Sequence, residues 1–271
     1  MTPMKIGACL PVARIADFRD WLFDDGRDIE LQDFMRADVL LGDWLERAAE
    51  ARAALAGHEG RIGIHGPYEG LDIDNKDPEL RPLITTRFLR ALEAAEAVGA
   101  VQMVLHSPYD AWFRNNRLAS PDYAEKKLAR IHEVLDPVVA RAEATGIALV
   151  IENIEDPDPA VRRMMVESFG SRAIRLSIDT GHAQLARRAA GAPPVDYFVR
   201  DAGPLLAHVH LQDVDGHADR HWAPGDGEIE WPSVFRALAD CNGDPHLVLE
   251  LRDKADIPKG FGWLKQAGLA C

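Results

Sequence analysis

Six apolar runs of this chain carry, at or next to their last position, a side chain that can hold a metal ion or move a proton. His65, His106, Glu152, Asp179 and Glu250 each close such a run, and His210 stands one residue before the end of another. Successive candidates are separated by 41, 46, 27, 31 and 40 residues, about one strand-plus-helix unit each. Two further features extend the set. Asp179-Thr180-Gly181-His182 puts an imidazole three residues after a carboxylate, and Asp219-Arg220-His221 lies in the segment after the run that holds His210. Imidazole and carboxylate donors together suit Zn²⁺, Mn²⁺, Fe²⁺ or Co²⁺, and Mg²⁺ less well because of the histidines. One to three ions per chain are expected. Glu152, Asp179, His210 and Glu250 form the core, His65 and His106 serve a second ion, and His182, Asp219 and His221 a third. Substrate hydrogen bonding competes as the role of those last three. With four carboxylates in one concavity, the site would repel itself without cations.

Such distant residues meet only if the intervening elements bring them to one place. Eight apolar runs recur: 5–10, 28–32, 61–65, 101–106, 147–152, 174–179, 206–211 and 246–251. Between them lie stretches of helical period, notably 41–55, 87–98 and 123–144, with Gly99 and Gly146 placed as C-terminal caps. Strands alternating with helices imply a parallel sheet, and eight of them in 271 residues imply closure into a (β/α)8 TIM barrel. One barrel domain over residues 1–271 is expected. The C-terminal strand ends of a barrel converge on one mouth, and the long segments 66–78 and 213–231 should rise around it.

Other residues read less sharply. His208 shares a strand face with His210 but lies deeper, which suits a hydrogen-bonded core histidine. His58, His132 and His246 need no function, and His217 stays open. Glu30 closes the weakest run and could touch substrate or support a ligand. Tyr68, Tyr109, Trp112, Phe113 and Trp222 follow ligand-bearing runs and could wall a sugar, stack a base or cap the core. Among these, Tyr68, Trp112 and Trp222 join His182 and Arg220 as substrate-binding candidates. Arg114, Arg117 and Arg220 could meet a phosphate. Pro224-Gly225-Asp226-Gly227 is a turn cluster first and a substrate loop second.

Composition narrows the partners. The formal charge of −13 disfavours a polyanion such as nucleic acid, which wants a basic groove. Three distant cysteines, none in a C-x-x-C, fit a reducing cytoplasm rather than a disulfide framework. No secretory leader and no membrane-length apolar stretch is read, and self-association into a homo-oligomer stays open. A P-loop, a dinucleotide-binding glycine fingerprint and a nucleophile elbow are all missing.

Ile64-His65-Gly66-Pro67-Tyr68, Val104-Leu105-His106, Val150-Ile151-Glu152-Asn153, Ile178-Asp179-Thr180-Gly181-His182, His208-Val209-His210-Leu211-Gln212-Asp213 and Leu249-Glu250 resemble the xylose isomerase-like TIM barrels. That superfamily joins sugar and sugar phosphate isomerases and epimerases to the endonuclease IV type of AP endonuclease. In the first branch the resemblance implies one divalent metal at Glu152, Asp179, His210 and Glu250, the two glutamates acting as acid and base, with His182 at substrate. In the second it implies three zinc ions on all nine candidates. The loops favour the first. Tyr68 is followed by Glu69 where a duplex wedge would want an apolar residue, and Glu155-Asp156-Pro157-Asp158 follows Glu152. The expected activity is a divalent-metal sugar or sugar phosphate isomerase or epimerase. The alternatives are a zinc phosphodiesterase and an idle sugar-binding barrel.

Overall fold

The eight expected strands all form, and none of their ends moves by more than two residues. They are β1 (Gly7–Leu10), β2 (Ile29–Leu31), β3 (Ile62–His65), β4 (Gln102–His106), β5 (Ala148–Glu152), β6 (Ile174–Asp179), β7 (Leu206–Leu211) and β8 (His246–Leu249). This computed structural model describes residues 2–241 and 243–271. Every strand pairs in parallel with its neighbours in chain order, and β1 pairs with β8, so the sheet is a closed TIM barrel in one domain. Glu250 lies one residue past β8, yet its amide still donates to Leu211 O at 3.2 Å, so it keeps its place at the barrel rim.

The helices differ more from expectation. The helix expected over 41–55 runs Trp44–Ala54, and Leu41 instead ends a separate helix, Ala37–Leu41. Gly42 ends helix Ala37–Leu41, and Asp43 caps helix Trp44–Ala54 by accepting from Glu46 N at 3.3 Å. Helix Arg81–Val98 begins six residues before the periodic stretch because Pro82 is tolerated in a first turn. Gly99 and Gly146 end their helices at φ 79° and 73°, the left-handed caps their positions called for.

Strand side chains alternate between two environments. Ala8, Leu10, Ile29, Leu31, Ile64, Met103, Leu105, Leu149, Ile151, Leu176, Ile178, Val209, Leu211, Leu247 and Leu249 point outward and build one continuous apolar core with the helices. The opposite parity fills the barrel with Cys9, Glu30, Gln102, Val104, Val150, Ser177, His208 and Val248, all buried. Its last layer holds His65, His106, Glu152, Asp179, His210 and Glu250. One irregularity preserves this parity on β7. The β6–β7 register steps from Leu176↔Leu206 to Ser177↔His208, leaving Ala207 extra. A bulge of this kind re-aims the side chains beyond it. His208 and His210 therefore face inward beside Ser177 and Asp179.

Arg162, 1% exposed, reaches from helix Pro159–Ser168 under the rim. Its Nη1 donates to Ile151 O at 2.9 Å and to Ser177 O, and its Nε lies 3.8 Å from the fully buried Asp156. The guanidinium thus ties β5 to β6 directly below Glu152 and Asp179. Arg162→Met should cost about 3–5 kcal/mol, because it strands a buried carboxylate and two carbonyls. Chemical denaturation measures this, and a loss under about 1 kcal/mol would remove the clamp from the account.

Candidate metal centre

Glu152 is the hinge of the site. It ends β5, is 1% exposed and faces two ways. Its Oε2 looks toward His106 Nε2 at 3.5 Å and His65 Nε2 at 3.8 Å. Its Oε1 looks toward His210 Nδ1 at 3.0 Å and His182 Nδ1 at 3.5 Å. Potential donor atoms consequently gather in four groups: His65, His106 and Glu152; Glu152, Asp179, His210 and Glu250; His182, Asp219 and His221; and, one layer deeper, Cys9, Glu30, His210 and Glu250. Within each group these atoms lie within 4.8 Å of one another. All nine candidates from the sequence are thus brought together, with Glu152 common to the first two groups.

Main-chain carbonyls fix which nitrogen each outer histidine presents. His65 Nδ1 donates to Gly66 O at 2.8 Å, His182 Nδ1 to Asn153 O at 3.1 Å, and His221 Nδ1 to Glu250 O at 2.9 Å. A carbonyl only accepts, so Nε2 is the nitrogen left facing each group, which is how ligating histidines are held. His210 is turned the other way. Its Nε2 meets Glu30 Oε1 at 3.0 Å, and its Nδ1 faces Glu152 and, at 3.3 Å, Glu250 Oε2. Asp179 caps helix Thr180–Ala190 through Oδ1, which accepts from His182 N at 2.6 Å and Gln212 Nε2 at 3.0 Å. Its Oδ2 is buried without a partner, as is Glu152 Oε2. His65 Nε2 and His106 Nε2 stand 3.4 Å apart. Burial pushes His106 down to about 3, so it is a neutral donor at pH 7. Two orphaned carboxylate oxygens and two imidazole nitrogens aimed at each other are a donor set that fits cations.

The charge balance agrees. Burial alone would lower the basicity of His182, His210 and His221. The surrounding carboxylates, Asp179, Glu250 and Asp219 prominent among them, outweigh it. His182 and His210 rise well above the ordinary histidine value, and His221 rises to about 9. Burial raises Asp179 to about 6. Metal-free, the mouth takes up protons where positive charge is wanted.

A supporting layer was not legible from residue spacing. Asn153 bridges strand ends, its Nδ2 donating to Asp179 O and its Oδ1 accepting from Asp179 N, both at 3.0 Å. Gln212 Nε2 joins Asp179 to Asp219 (3.3 Å), while its Oε1 accepts from His221 N at 3.1 Å. A Cβ on Gly181 would stand 2.3 Å from the Gln212 amide, which explains the glycine in Asp179-Thr180-Gly181-His182. Asp213 accepts from Val214 N, Gly225 N, Ile229 N and Trp231 Nε1 at 2.9–3.2 Å, folding segment 213–231 over the mouth. His221 is the one non-glycine residue with positive φ among the described residues, at 50°. The neighbouring bonds hold it there. Glu30, left open by the sequence, proves to be 1% exposed, with His208 Nε2 and His210 Nε2 each 3.0 Å away. Ser177 Oγ is 2.8 Å from His208 Nδ1, so His208 is a buried core histidine hydrogen-bonded on one side, with its Nε2 facing Glu30. The signal for Glu30 was the inward parity it shares with Cys9 and His208.

A cavity of about 580 Å³ opens above the groups, lined in part by His65, Tyr68, His106, Glu152, His182, Asp219, His221 and Glu250. Arg220 and Trp222 do not line it. Arg220 pairs with Asp215 at 2.8 Å and lies over the Trp222 ring. Arg114 is bound to Ala190 O and Arg117 to Asp158. The cations nearest the cavity are instead Arg252 and Lys254, just after β8. Trp112 lines a neighbouring hollow, and His217 is exposed. The acidic run after Glu152 presents only Glu155. Asp156 is buried against Ser107 Oγ at 2.7 Å, and Asp158 caps a helix.

The xylose isomerase-like TIM barrel family model matches residues 23–267. An uncharacterized protein of Methanocaldococcus jannaschii is 24% identical over 217 residues, 77% of this chain and 70% of its own length. D-psicose 3-epimerase of Agrobacterium fabrum is 25% identical over 193 residues, 68% of this chain and 62% of its own. In structure, the TTHB071 protein from Thermus thermophilus, soaked with ZnCl2, is similar at TM-score 0.76 and 27% identity over 97% of both chains. The xylose isomerase domain protein from Planctomyces limnophilus shares the fold at TM-score 0.72 and 16% identity, covering 98% of this chain and 96% of its own.

Two outcomes are expected from the geometry. Zn²⁺ or Mn²⁺ added to metal-free protein at pH 7 should release protons, since His182, His210 and His221 hold them there and must lose them to ligate. Affinity should then fall as pH drops below about 9, the value to which His221 is raised. Titration calorimetry in two buffers of different ionisation enthalpy reads the release, and identical heats would count against it. Glu30→Gln removes the carboxylate behind His210 and should weaken binding of the tightest ion by about 10–100-fold, measured by competition with a chelator.

Proposed function

This chain belongs to the xylose isomerase-like TIM barrel family, and we propose that it is a divalent-metal-dependent isomerase or epimerase of a sugar or sugar phosphate. The observation that carries this reading is the pair of glutamates flanking one imidazole nitrogen. Glu152 Oε1 and Glu250 Oε2 lie 3.0 and 3.3 Å from His210 Nδ1, next to the cavity and within one donor group. Similarity to a D-psicose 3-epimerase supports the same class.

A divalent ion bound by Glu152, Asp179, His210 and Glu250 would polarise neighbouring carbonyl and hydroxyl oxygens of the substrate. The residues then divide the proton work. Glu152, as carboxylate, accepts the proton from the carbon beside the carbonyl, leaving an enediolate. Glu250, as acid, returns a proton to the opposite face, or the two exchange roles. Asp179 and His210 lie below the cavity and hold position. His182, 13% exposed at its side chain, is the imidazole placed to hydrogen-bond a sugar hydroxyl when it is not ligating.

A second reading has its own observation. Three of the donor groups, two of them sharing Glu152, are what a three-zinc phosphodiesterase would use to activate water and clamp a phosphate. The rim disfavours it for DNA, because Glu69 and Glu155 stand exposed beside the mouth. No helix among the described residues is long and apolar enough to cross a membrane.

Metal-loaded protein should exchange solvent deuterium into the carbon beside the carbonyl of at least one ketose in a panel. Glu152→Gln and Glu250→Gln should each slow that exchange by about 10²–10⁴-fold. Failure of every ketose to exchange, together with zinc-dependent cleavage of an abasic-site duplex that Glu152→Gln abolishes, would exchange the first reading for the second.

A further inference from the structure

Beside the metal cavity lies a second and larger hollow, about 740 Å³, which shares Tyr68, His106 and Ile154 with it. The inner cavity already falls in the range that holds a whole drug-sized ligand, roughly 300–1,000 Å³. A single sugar therefore needs none of the outer one. The outer hollow is walled by the segment after β3, the segment after β4, and the start of helix Tyr123–Thr145. Tyr68 stands at the junction, stacked on His106 with ring centroids 4.3 Å apart. Trp112 projects at the far rim, 70% exposed, an unusual cost for a large apolar side chain at a cavity edge.

The charges in this hollow say what it accepts. Lys127 is 8% exposed, and it is committed. It pairs with Asp74 at 2.6 Å and sits 5.4 Å over Tyr109 and 5.6 Å over Phe113. Arg130 donates to Asp74 O at 2.9 Å, and Lys126 pairs with Asp122 at 2.6 Å. Among the described residues, the lining charges with no side-chain partner are the carboxylates of Glu69, Asp72, Asp110 and Glu155 and the single cation Lys76, Asp110 accepting only from Phe113 N. That balance repels a phosphate. It leaves acceptors for hydroxyl groups, next to an aromatic face on which an uncharged ring can lie.

Resting on the isomerase or epimerase reading of the inner site, we propose that the outer hollow is a second subsite. It takes an uncharged glycosyl unit, so that the substrate is a two-sugar ketose rather than a monosaccharide or its phosphate. The reacting sugar lies over Glu152 and Glu250, the link passes Tyr68, and the second ring rests against Trp112 with its hydroxyls toward Glu69, Asp72 and Glu155.

The test uses metal-loaded protein and four probes: D-fructose, D-fructose 6-phosphate, and the ketose disaccharides lactulose and isomaltulose. Deuterium exchange should run with at least one disaccharide at a kcat/KM ten or more times that of fructose. Trp112→Ala should reduce the disaccharide-to-fructose ratio about tenfold, chiefly through KM. Saturation-transfer NMR should show the protons of the second ring in contact with the protein, and Trp112→Ala should weaken that signal. Equal or better turnover of fructose or its phosphate overturns the subsite, as does the absence of second-ring contacts. Second-ring contacts that depend on Trp112, without exchange from any probe, would uphold the subsite and overturn the isomerase reading beneath it.

Discussion

Mutual repulsion among carboxylates is the constraint that organises this protein. Glu30, Glu152, Asp179, Asp219 and Glu250 are held around one barrel mouth, and only Asp219 has substantial contact with water. Left alone, such a cluster would neutralise itself or push the strands apart. The chain prevents this with imidazoles between the acids and a layer of amides and arginine behind them. Asn153, Gln212 and Arg162 bond to the main chain or to side chains at the strand ends, so the carboxylates stay where repulsion would otherwise move them. The barrel supplies rigidity, and the mouth puts it under load.

That division explains why the polar residues inside the barrel are not a defect in its core. The apolar core lies outside the sheet, between strands and helices. The interior, with Glu30, Ser177 and His208 below His210, carries polarity that would be costly elsewhere. Here each group meets another across the closed sheet. A barrel without such a mouth would fill these positions with branched aliphatic side chains.

The sequence made the strands and the nine donors legible because both leave local marks. A strand is a short apolar run, and a ligand at its end breaks the run with a charge. The supporting residues leave no such mark. Asn153 and Gln212 look like ordinary polar residues after a strand, and only the closed geometry shows them bridging neighbours. Asp156 misled for the opposite reason. In an acidic run it resembles solvated surface, but Ser107 and Arg162, distant in sequence, draw it inside. Arg220 and Trp222 were plausible at the mouth by position in the chain, yet Asp215 captures the guanidinium locally. The helix expected over 41–55 starts three residues late because Gly42 and Asp43 form a stop and a fresh cap within one periodic stretch.

Segment 213–231 is folded on itself by four bonds to Asp213, and its Asp219 and His221 are tied to the strand ends through Gln212, Glu250 and Arg252. It carries two of the three members of the His182 group, while the other groups stand on or next to strands. Loops open at lower free energy than the strands of a closed barrel. The groups therefore differ in how firmly their donors are held as well as in composition. An ion held by His182, Asp219 and His221 could leave through a local opening of one loop, with the barrel and the Glu152 groups intact. Occupancy at this mouth would then be graded, its outermost position exchanging with the surroundings while the inner ones persist.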